Sequence, residues 1–361
     1  MKFFKLRKRF IRLISVCLTL ATVFLCACSS PENTTSINND EIRVTVLDVG
    51  QGDSIFIELT DKRCMLIDAG ESEYGKAVTD CISSSGYDKI DYLVATHPHA
   101  DHIGGMSRVV SSFDIGRVYM PRAAADTKTY ENLFSTIDKK GLRISTAKAG
   151  VNILNEDSLK IDILAPNSAD YAGLNNYSAV IKITFGSVKF LFMGDAEAES
   201  ENEIKADVSA DFVKIGHHGS NTSSSEAFVR RVGAKYAAVS VAEENDYNLP
   251  VTEIINRWRN SGAQVLMTKD VGNIVARSDG KSLTVNGETV SISDGESGTA
   301  VSKNQTQDSR FIINKNTKKI HTTDCPLTDD ISNKNKDYTT LTLSQLEKQG
   351  YTPCKSCNPH D

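Results

Sequence analysis

The sequence lacks an excess of basic residues. Its 361 residues include 41 Lys and Arg against 46 Asp and Glu, which gives a net charge of −5. Non-specific affinity for nucleic acid depends on Lys and Arg side chains that displace counterions from the phosphates. The composition therefore excludes a protein that coats nucleic acid through a broad basic face, and any action on nucleic acid is expected at a localised site.

Two common catalytic motifs are also missing. The stretch "GQGDS" (residues 50–54) has no lysine that would make it a phosphate-binding P-loop. No G-x-S-x-G motif surrounds Ser54 or Ser220, so neither serine has the setting of a hydrolase nucleophile. We expect both serines to form hydrogen bonds in turns. The sequence also has no internal repeat of the kind that marks a solenoid.

No apolar run is long enough for a confident membrane span. Residues 13–25, "LISVCLTLATVFL", follow a segment with six Lys and Arg and no acidic residue, which is typical of a signal peptide. Leu25 and Ala27 stand three and one positions before Cys28, an arrangement that resembles the lipobox of bacterial lipoproteins. The resemblance implies cleavage after residue 27, a lipid on Cys28 and a protein tethered to the outer face of the cell membrane.

Two alternatives to this interpretation stay open. Residues 1–27 could be an uncleaved anchor helix, or Cys26 could carry the lipid, although bulky Leu25 would then occupy a small-residue position. Cleavage would remove six positive charges and change the net charge from −5 to −11. Residues 28–40 would then form a polar tether.

The rest of the chain is organised as a large domain and a small module. From residue 41 to 288, short apolar runs such as "IRVTVLDV" and "VKFLFMGD" alternate with helical patterns, which predicts an α/β core. Residues 289–309 are poor in large apolar side chains and predict a linker, and residues 310–361 predict a compact module. An extracellular location would permit a Cys64–Cys81 disulfide, which the sequence leaves open.

The densest group of metal-ligand residues is "HPHADHIGG", residues 97–105, directly after an apolar strand pattern. The group offers imidazole and carboxylate ligands for a divalent ion from His97, His99, Asp101 and His102. In extended backbone the alternation in "HPH" points both histidines to one side. The following turn could bring Asp101 and His102 to a second position, so the spacing favours two neighbouring metal sites.

These residues match the HxHxDH motif, and the sequence resembles the metallo-β-lactamase superfamily. Further motifs resemble, in order, those of the hydrolase domain of ComEC competence proteins: "DVGQGDS" (48–54), "LIDAG" (66–70), "NNYSAVI" (175–181), "FMGD" (192–195) and "KIGHHGS" (214–220). The resemblance covers nearly all of residues 41–280. It implies an αββα sandwich with one or two divalent ions, Zn or Mn, at the sheet edge, and metal-dependent hydrolysis.

The resemblance also implies a set of ligands. His97 and His99 would bind one ion, Asp101 and His102 would bind the other, and Asp195 would bridge the two ions. Asp195 could instead cap the helix predicted after it. Neighbouring polar residues would orient the ligands: Asp48, Asp53, Asp68, Asn176 and Ser178. A cap for Asp68 and a structural role for Asp53 are the alternatives.

His217 and His218 follow a predicted strand, and with Asp101 they form the predicted catalytic group. Extended neighbours point to opposite sides, so we expect one histidine to face the site as a ligand or acid, and we favour His217 because it is nearer the strand. Leu249 stands where ComEC-like relatives tend to have a histidine before the proline. Leucine can neither bind a metal nor pass a proton, which puts two-metal occupancy or leaving-group protonation in question.

The C-terminal module contains a second set of ligands: His321, Cys325, Cys354 and Cys357. The set predicts structural zinc, because a disulfide between two of the three cysteines would leave the third unpaired. A disulfide arrangement is the alternative. The stretch resembles zinc modules akin to the metal-binding domain of the Ada DNA-repair protein, which are also appended to secreted nucleases. Residues 301–361 carry a net charge of +2 by count, which suits a nucleic-acid contact, while a structural or docking role fits equally.

The sequence therefore predicts a surface-anchored metal-dependent hydrolase. The resemblance to ComEC proteins and to nuclease-associated zinc modules favours a phosphodiesterase or nuclease that acts on extracellular DNA or RNA. Its expected partners are nucleic acid and the membrane. A phosphodiesterase or phosphocholine esterase of surface polymers, and a lactonase or β-lactamase, are alternatives on the same scaffold. A non-catalytic surface receptor for DNA is an alternative of another class, motivated by Leu249.

Overall fold

The computed structural model describes residues 40–291, 311–322, 325–328, 331, 335–339, 341–357 and 359. The chain divides into two compact units, Met1–Asp294 and Gly295–Asp361. The predicted signal peptide, the lipidation site at Cys28, the tether up to residue 39 and the linker from residue 292 lie outside the described residues. Within the described ranges, no helix has both the length and the apolar character needed to cross a bilayer.

The strands of the first unit form two facing sheets. They are β1 (Ile42–Val46), β2 (Ile55–Glu58), β3 (Cys64–Ile67), β4 (Lys89–Val94), β5 (Asp114–Met120), β6 (Ile144–Thr146), β7 (Val151–Asn155), β8 (Leu159–Ala165), β9 (Val180–Phe185), β10 (Val188–Phe192), β11 (Phe212–Lys214), β12 (Tyr236–Val239), β13 (Gln264–Met267), β14 (Ile274–Ser278), β15 (Ser282–Val285) and β16 (Glu288–Ser291). One sheet has the order β16-β15-β14-β1-β2-β3-β4-β5-β6, and the other has the order β13-β12-β11-β10-β9-β8-β7.

Helices cover the outer faces of both sheets. They are α1 (Gly75–Ser84), α2 (Ala100–Ile103), α3 (Met106–Ser112), α4 (Lys128–Lys139), α5 (Ala198–Glu203), α6 (Glu226–Val232), α7 (Thr252–Asn260) and α8 (Thr268–Val271). Short 3₁₀ turns occupy Thr60–Lys62, Ser72–Tyr74, Leu174–Tyr177 and Gly216–Gly219.

Three apolar layers hold the unit together. Alternate residues of β1, Val44 among them, are fully buried and pack between the sheets against residues such as Phe190. The outer face of the nine-stranded sheet packs under α1, α3 and α4, and the outer face of the other sheet packs under α6 and α7, where Trp258 is fully buried. Burial of this apolar surface is the main stabilising term. The predicted αββα sandwich is confirmed.

The predicted end of the large domain at residue 288 falls inside the sheet. β16 pairs antiparallel with β15 through Ser291, so the domain continues at least three residues further than expected. Cys64 and Cys81 are not joined by a disulfide, and the Cys64 thiol donates to the Lys89 carbonyl oxygen at 3.2 Å.

The second unit is a small sheet with one helix in its described part. Its elements are β17 (Phe311–Asn314), β18 (Lys319–His321), β19 (Lys336–Thr339), α9 (Leu343–Lys348) and β20 (Thr352–Pro353), with a 3₁₀ turn at Pro326–Thr328. The strand order is β19-β17-β18-β20. A capping box between Thr342 and Gln345 starts α9. Among the described residues of this unit the apolar core comprises few residues, chiefly Phe311, Ile320 and Leu346, and such a small core favours additional stapling.

Candidate metal centre

The loop after β4 carries most of the predicted ligands. β4 lies between the parallel strands β3 and β5, so this loop leaves the sheet where carboxyl ends of parallel strands meet. His99 is extended (φ −73°, ψ 151°), and α2 begins directly after it with Asp101 in its first turn. Gly52 packs against that turn with φ +144°, and an added Cβ would collide with the Asp101 carbonyl oxygen. The "GQGDS" turn therefore needs glycine at this position.

One ligand group, site B, consists of Asp101, His102, Asp195 and His218, whose ligand atoms all lie within 4.8 Å of one another. His102 Nε2 lies 3.2 Å from Asp195 Oδ1 and 3.7 Å from Asp101 Oδ2. His218 Nε2 lies 3.3 Å from Asp101 Oδ2 and 3.6 Å from Asp195 Oδ1. Ligands about 2.0–2.2 Å from a tetrahedral ion lie roughly 3.3–3.6 Å apart, so this spacing fits one divalent ion.

A second ligand group, site A, consists of His97, His99 and Asp195. His97 Nε2 lies 3.0 Å from His99 Nδ1 and 3.7 Å from Asp195 Oδ2. Asp195 therefore turns one oxygen to each site, and its place between the two groups suits a bridging carboxylate. The alternative role as a helix cap does not apply, because the N-cap of α5 is Glu197.

Hydrogen bonds fix which ring nitrogen of each site B histidine faces the site. His102 Nδ1 lies 2.7 Å from Asp68 Oδ2, and His218 Nδ1 lies 3.0 Å from the Ser240 carbonyl oxygen. Each Nδ1 then carries the proton and leaves a lone pair on Nε2 for a metal. Thr96 secures Asp68 through its N–H (2.8 Å) and its hydroxyl (2.6 Å). The sequence did not single out Thr96 or Ser240, although Thr96 directly precedes the histidine motif.

Several buried polar atoms of site B lack a hydrogen-bond partner among the described residues: His102 Nε2, Asp195 Oδ1 and His218 Nε2. A buried polar atom without a partner is costly, and these three converge on one point. A divalent cation there would satisfy all three at once. The residues present therefore fit the metal that the sequence predicted.

The two adjacent histidines occupy positions other than those predicted. His218 is buried and belongs to site B, whereas His217 lies at the rim with 24% of its side chain exposed and its Nε2 3.8 Å from Asp195 Oδ2. Both residues have positive φ, +51° and +52°, so the backbone is not extended and the side chains do not alternate. The expectation that His217 is the inward metal ligand is corrected, because His218 and not His217 belongs to a ligand group among the described residues. His217 Nδ1 instead pairs with Thr222 Oγ1 at 2.9 Å.

The predicted orienting residues divide into two sets. Ser178 Oγ accepts the Asp195 N–H at 3.0 Å and lies 3.3 Å from His97 Nδ1, so it contacts ligands of both sites. Asn176 accepts the N–H groups of Glu197 and Ser200 and so supports α5 without contacting a ligand. Asp48 is exposed and accepts the Gly50 N–H at 3.3 Å. Its prediction as an orienting group is corrected, because its carboxylate stabilises a turn.

Charges inside the site divide its histidines into two classes. Burial would lower the pKa of His102, but the carboxylates of Asp195, Asp101 and Asp68 outweigh it and hold the pKa well above the usual histidine range. His218 has its pKa raised for the same reason, by Asp195 and Asp101 against burial. Burial and the neighbouring His102 hold the pKa of His97 well below that range.

This division predicts different proton release at the two sites. Metal binding displaces protons from ligands, so the affinity of site B should fall as pH falls through the raised pKa values of His102 and His218. His97 is already neutral at pH 7, so site A should be less dependent on pH. Calorimetric titration in buffers of different ionisation enthalpy should show that more protons are released at site B than at site A at pH 7. Asp101→Ala isolates site A and His97→Ala isolates site B, and equal release in both variants would refute the assignment.

A cavity of about 580 Å³ opens over the ligands. Its walls include Glu71, Glu73 and Glu244, here called the acidic rim, together with Tyr74 and Tyr247. No Lys or Arg lines the cavity as the described residues define it. Leu249 also lines it, yet neither ligand group includes that position, so both groups form without a histidine there.

The second unit carries its own ligand group, formed by His321, Cys325, Cys354 and Cys357 with ligand atoms within 4.8 Å of one another. His321 Nδ1 lies 3.4 Å from Cys325 Sγ, and backbone N–H groups of Thr322 and Ser356 point to Cys357 and Cys354 sulfurs. None of the three cysteines is disulfide-bonded. One imidazole and three thiols are the donor set of a closed structural metal site.

Comparison with known proteins agrees with this site. The family model described as "Metallo-beta-lactamase superfamily" matches residues 47–243. The ComE operon protein 3 of Bacillus subtilis is 27% identical and aligns with 72% of this chain and 35% of its own length. The competence protein ComA of Neisseria gonorrhoeae is 27% identical over 64% of this chain and 32% of its own length. The chain thus spans about a third of the length of these relatives.

A solved structure, the metallo-beta-lactamase fold protein YhfI from Bacillus subtilis, is 15% identical with a TM-score of 0.43, and covers 66% of this chain and 100% of its own. The family match extends over more than half of the chain and includes the ligands of both sites. This chain belongs to the metallo-beta-lactamase superfamily of metal-dependent hydrolases.

Proposed function

We propose that the protein is a metal-dependent phosphodiesterase. The observation that carries the proposal is the pair of adjacent ligand groups that share Asp195. Two divalent ions held there, Zn²⁺ or Mn²⁺, would lower the pKa of water from 15.7 to about 7 and stabilise the attacking and leaving oxygens of a displacement at phosphorus. The absence of a serine nucleophile motif agrees with such chemistry.

The protein's own residues would bind the ions, orient the ligands and exchange a proton with substrate. Asp101, His102 and His218 would hold one ion, and His97 and His99 the other, with Asp68, Ser178 and Ser240 keeping the ligands in orientation. Burial lowers the pKa of His217, so its ring is neutral at pH 7 and can accept a proton. It lines the cavity, and we propose that it exchanges a proton with substrate, a role that Leu249 cannot fill.

Nucleic acid is the first candidate substrate. Its support is the similarity to the competence protein ComA, together with the C-terminal ligand group, which we propose holds structural zinc and whose sequence resembles zinc modules appended to secreted nucleases. The lipobox-like sequence at Cys28 supports a protein anchored at the outer face of the cell membrane. Extracellular DNA or RNA would then be the accessible polymer.

The acidic rim favours a second candidate substrate. Glu71, Glu73 and Glu244 would repel the neighbouring phosphates of a polynucleotide, whereas carboxylates beside Tyr74 and Tyr247 suit an ammonium group. A phosphodiester with a cationic substituent, as in a choline-bearing surface polymer, would complement the charge of these walls. The rim alone does not exclude nucleic acid, since cations in solution screen exposed charges.

The test compares wild-type protein with Asp101→Ala on single- and double-stranded DNA, RNA and bis(p-nitrophenyl) phosphate, each with Zn²⁺, Mn²⁺ or EDTA. Cleavage of polynucleotide that requires both metal and Asp101 is the expected result. Activity on the small diester alone would support the second candidate. Absence of turnover by metal-loaded protein, with DNA affinity unaffected by His97→Ala, would refute the enzyme and establish a DNA receptor.

Neutralising the acidic rim is predicted to shift substrate preference. In the triple variant Glu71→Gln, Glu73→Gln, Glu244→Gln we expect kcat/KM for DNA to rise about tenfold, because each removed repulsion is worth roughly 0.5 kcal/mol. Hydrolysis of p-nitrophenyl phosphocholine should fall over the same comparison.

The control for this prediction carries the same charge change on exposed positions elsewhere, Glu131→Gln, Glu226→Gln and Glu288→Gln. The control variant should keep both activities within twofold of the wild-type values. Equal gains in the control and the rim variant would show that net charge, not the rim, governs the substrate.

A further inference from the structure

A buried ion pair lies behind site B and has no part in the proposed chemistry. Lys214 Nζ donates to Asp53 Oδ2 at 2.7 Å, and the two side chains are 0% and 1% exposed. The ammonium also donates to the Ile215 carbonyl oxygen at 3.0 Å. Charges removed from water in this way need paired partners, so each member depends on the other.

Asp53 joins the two segments that carry site B ligands. Its N–H donates to the Asp101 carbonyl oxygen at 3.1 Å, and its own carbonyl oxygen accepts the Gly70 N–H at 2.8 Å. Its second carboxylate oxygen, Oδ1, is buried, has no hydrogen-bond partner among the described residues and lies 3.5 Å from His218 Nδ1. The backbone of Asp53 thus touches one ligand segment, and its side chain faces the other.

Lys214 determines where that carboxylate can lie. The Lys214 ammonium binds Oδ2, so Oδ1 faces the Nδ1–H of His218. The Ser240 carbonyl oxygen lies near the same nitrogen. Both acceptors favour the ring orientation that turns His218 Nε2 towards Asp101 and Asp195. Partners of this kind fix the tautomer and aim of a ligand histidine.

We propose that Lys214 is a positioning residue of the metal centre, which acts through Asp53 to fix His218 and the Asp101 segment at site B. The inference rests on the proposed metal centre and not on the identity of the substrate. It gives a function to a lysine in a strand pattern, "FVKIG", that is otherwise apolar.

The test measures Mn²⁺ binding by electron paramagnetic resonance on the full-length protein. Mn²⁺ prefers oxygen and nitrogen ligands, so the thiol-rich C-terminal group contributes little to the signal. Wild type should bind two Mn²⁺ ions at the centre. Lys214→Met and Asp53→Asn should each weaken one of them by about 10- to 100-fold, the usual effect of losing an orienting partner, and leave the other within about twofold.

The chain offers a control in a second buried lysine, Lys182, whose aspartate partner, Asp207, has 62% of its side chain exposed. Lys182 is 6% exposed and lies 2.9 Å from Asp207 Oδ2. Lys182→Met removes a buried ammonium as Lys214→Met does, and it should leave both Mn²⁺ affinities within about twofold. Equal weakening by Lys182→Met, or two unchanged Mn²⁺ sites in folded Lys214→Met, would overturn the proposal.

Loss of one charge could leave the other buried without a partner and prevent folding. The double variant Asp53→Asn, Lys214→Met removes both charges and carries the test in that case. It should show the same weakening at one Mn²⁺ site and no more, because both residues act along one path. Wild-type Mn²⁺ binding in the double variant would overturn the proposal. Because the readout is Mn²⁺ binding, a failed phosphodiesterase assay leaves this result interpretable.

Discussion

Replacement of Asp195 by asparagine is expected to abolish metal binding at site A and site B together. Asp195 Oδ1 faces His102 and His218, and its Oδ2 faces His97, so one carboxylate serves both groups. Asparagine keeps the shape but removes the charge and one acceptor oxygen. We expect kcat/KM for bis(p-nitrophenyl) phosphate to fall by roughly 10³-fold or more, as the activating ions are lost.

The measurement combines metal content with turnover of the purified variant. His97→Ala should weaken site A selectively, which separates the loss of one ion from the loss of both. Asp138→Asn, an exposed change on α4, is the matched control and should bind and turn over like wild type. An Asp195→Asn protein that keeps two ions would contradict the sharing of this carboxylate.

Removal of metal from the C-terminal group is expected to unfold the second unit while the first unit stays folded. The apolar core in the described part of the second unit is small, and metal binding of this type contributes folding free energy directly, about 10–16 kcal/mol for zinc-finger peptides. Cys357→Ala should therefore lose zinc and the backbone amide signals of residues 311–357 should collapse to an unfolded pattern.

Replacing Cys357 by a different metal ligand distinguishes a role in metal coordination from a role in packing. Cys357→His supplies a nitrogen in place of a sulfur, a donor set that zinc accepts, and it should retain zinc and the folded spectrum. Hydrogen exchange followed residue by residue is the measurement. A Cys357→Ala protein whose second unit stays folded without zinc would show that the apolar core suffices.

The features that could be predicted from the sequence depend on residues that lie close together in the chain. The histidine motif after β4 has ligands within six positions, so spacing alone indicated His97, His99, Asp101 and His102. The four-layer sandwich followed from strand and helix patterns read with the family resemblance. Asp195 lies about a hundred residues from that motif, so its role came from the resemblance and its place between both sites from the fold.

The features that could not be predicted depend on backbone conformation or on distant contacts. His217 and His218 both have positive φ, with His218 at site B and His217 in the wall of the cavity, and no neighbouring residue type predicted this conformation. Lys214 pairs with Asp53, 161 positions away, and the Ser240 carbonyl oxygen is a backbone group without a sequence signal. Asp48 belongs to a motif with Asp53 but points to a turn instead, a difference that only the fold decides.

Anomalous diffraction from crystals loaded with Zn²⁺ or Mn²⁺ tests the two-metal centre most directly. We expect two ions in the first unit, one beside His97 and His99 and one beside Asp101, His102 and His218. An oxygen of Asp195 should lie about 2.0–2.2 Å from each ion. A single ion in this cluster, or ions that do not contact Asp195, would contradict this expectation.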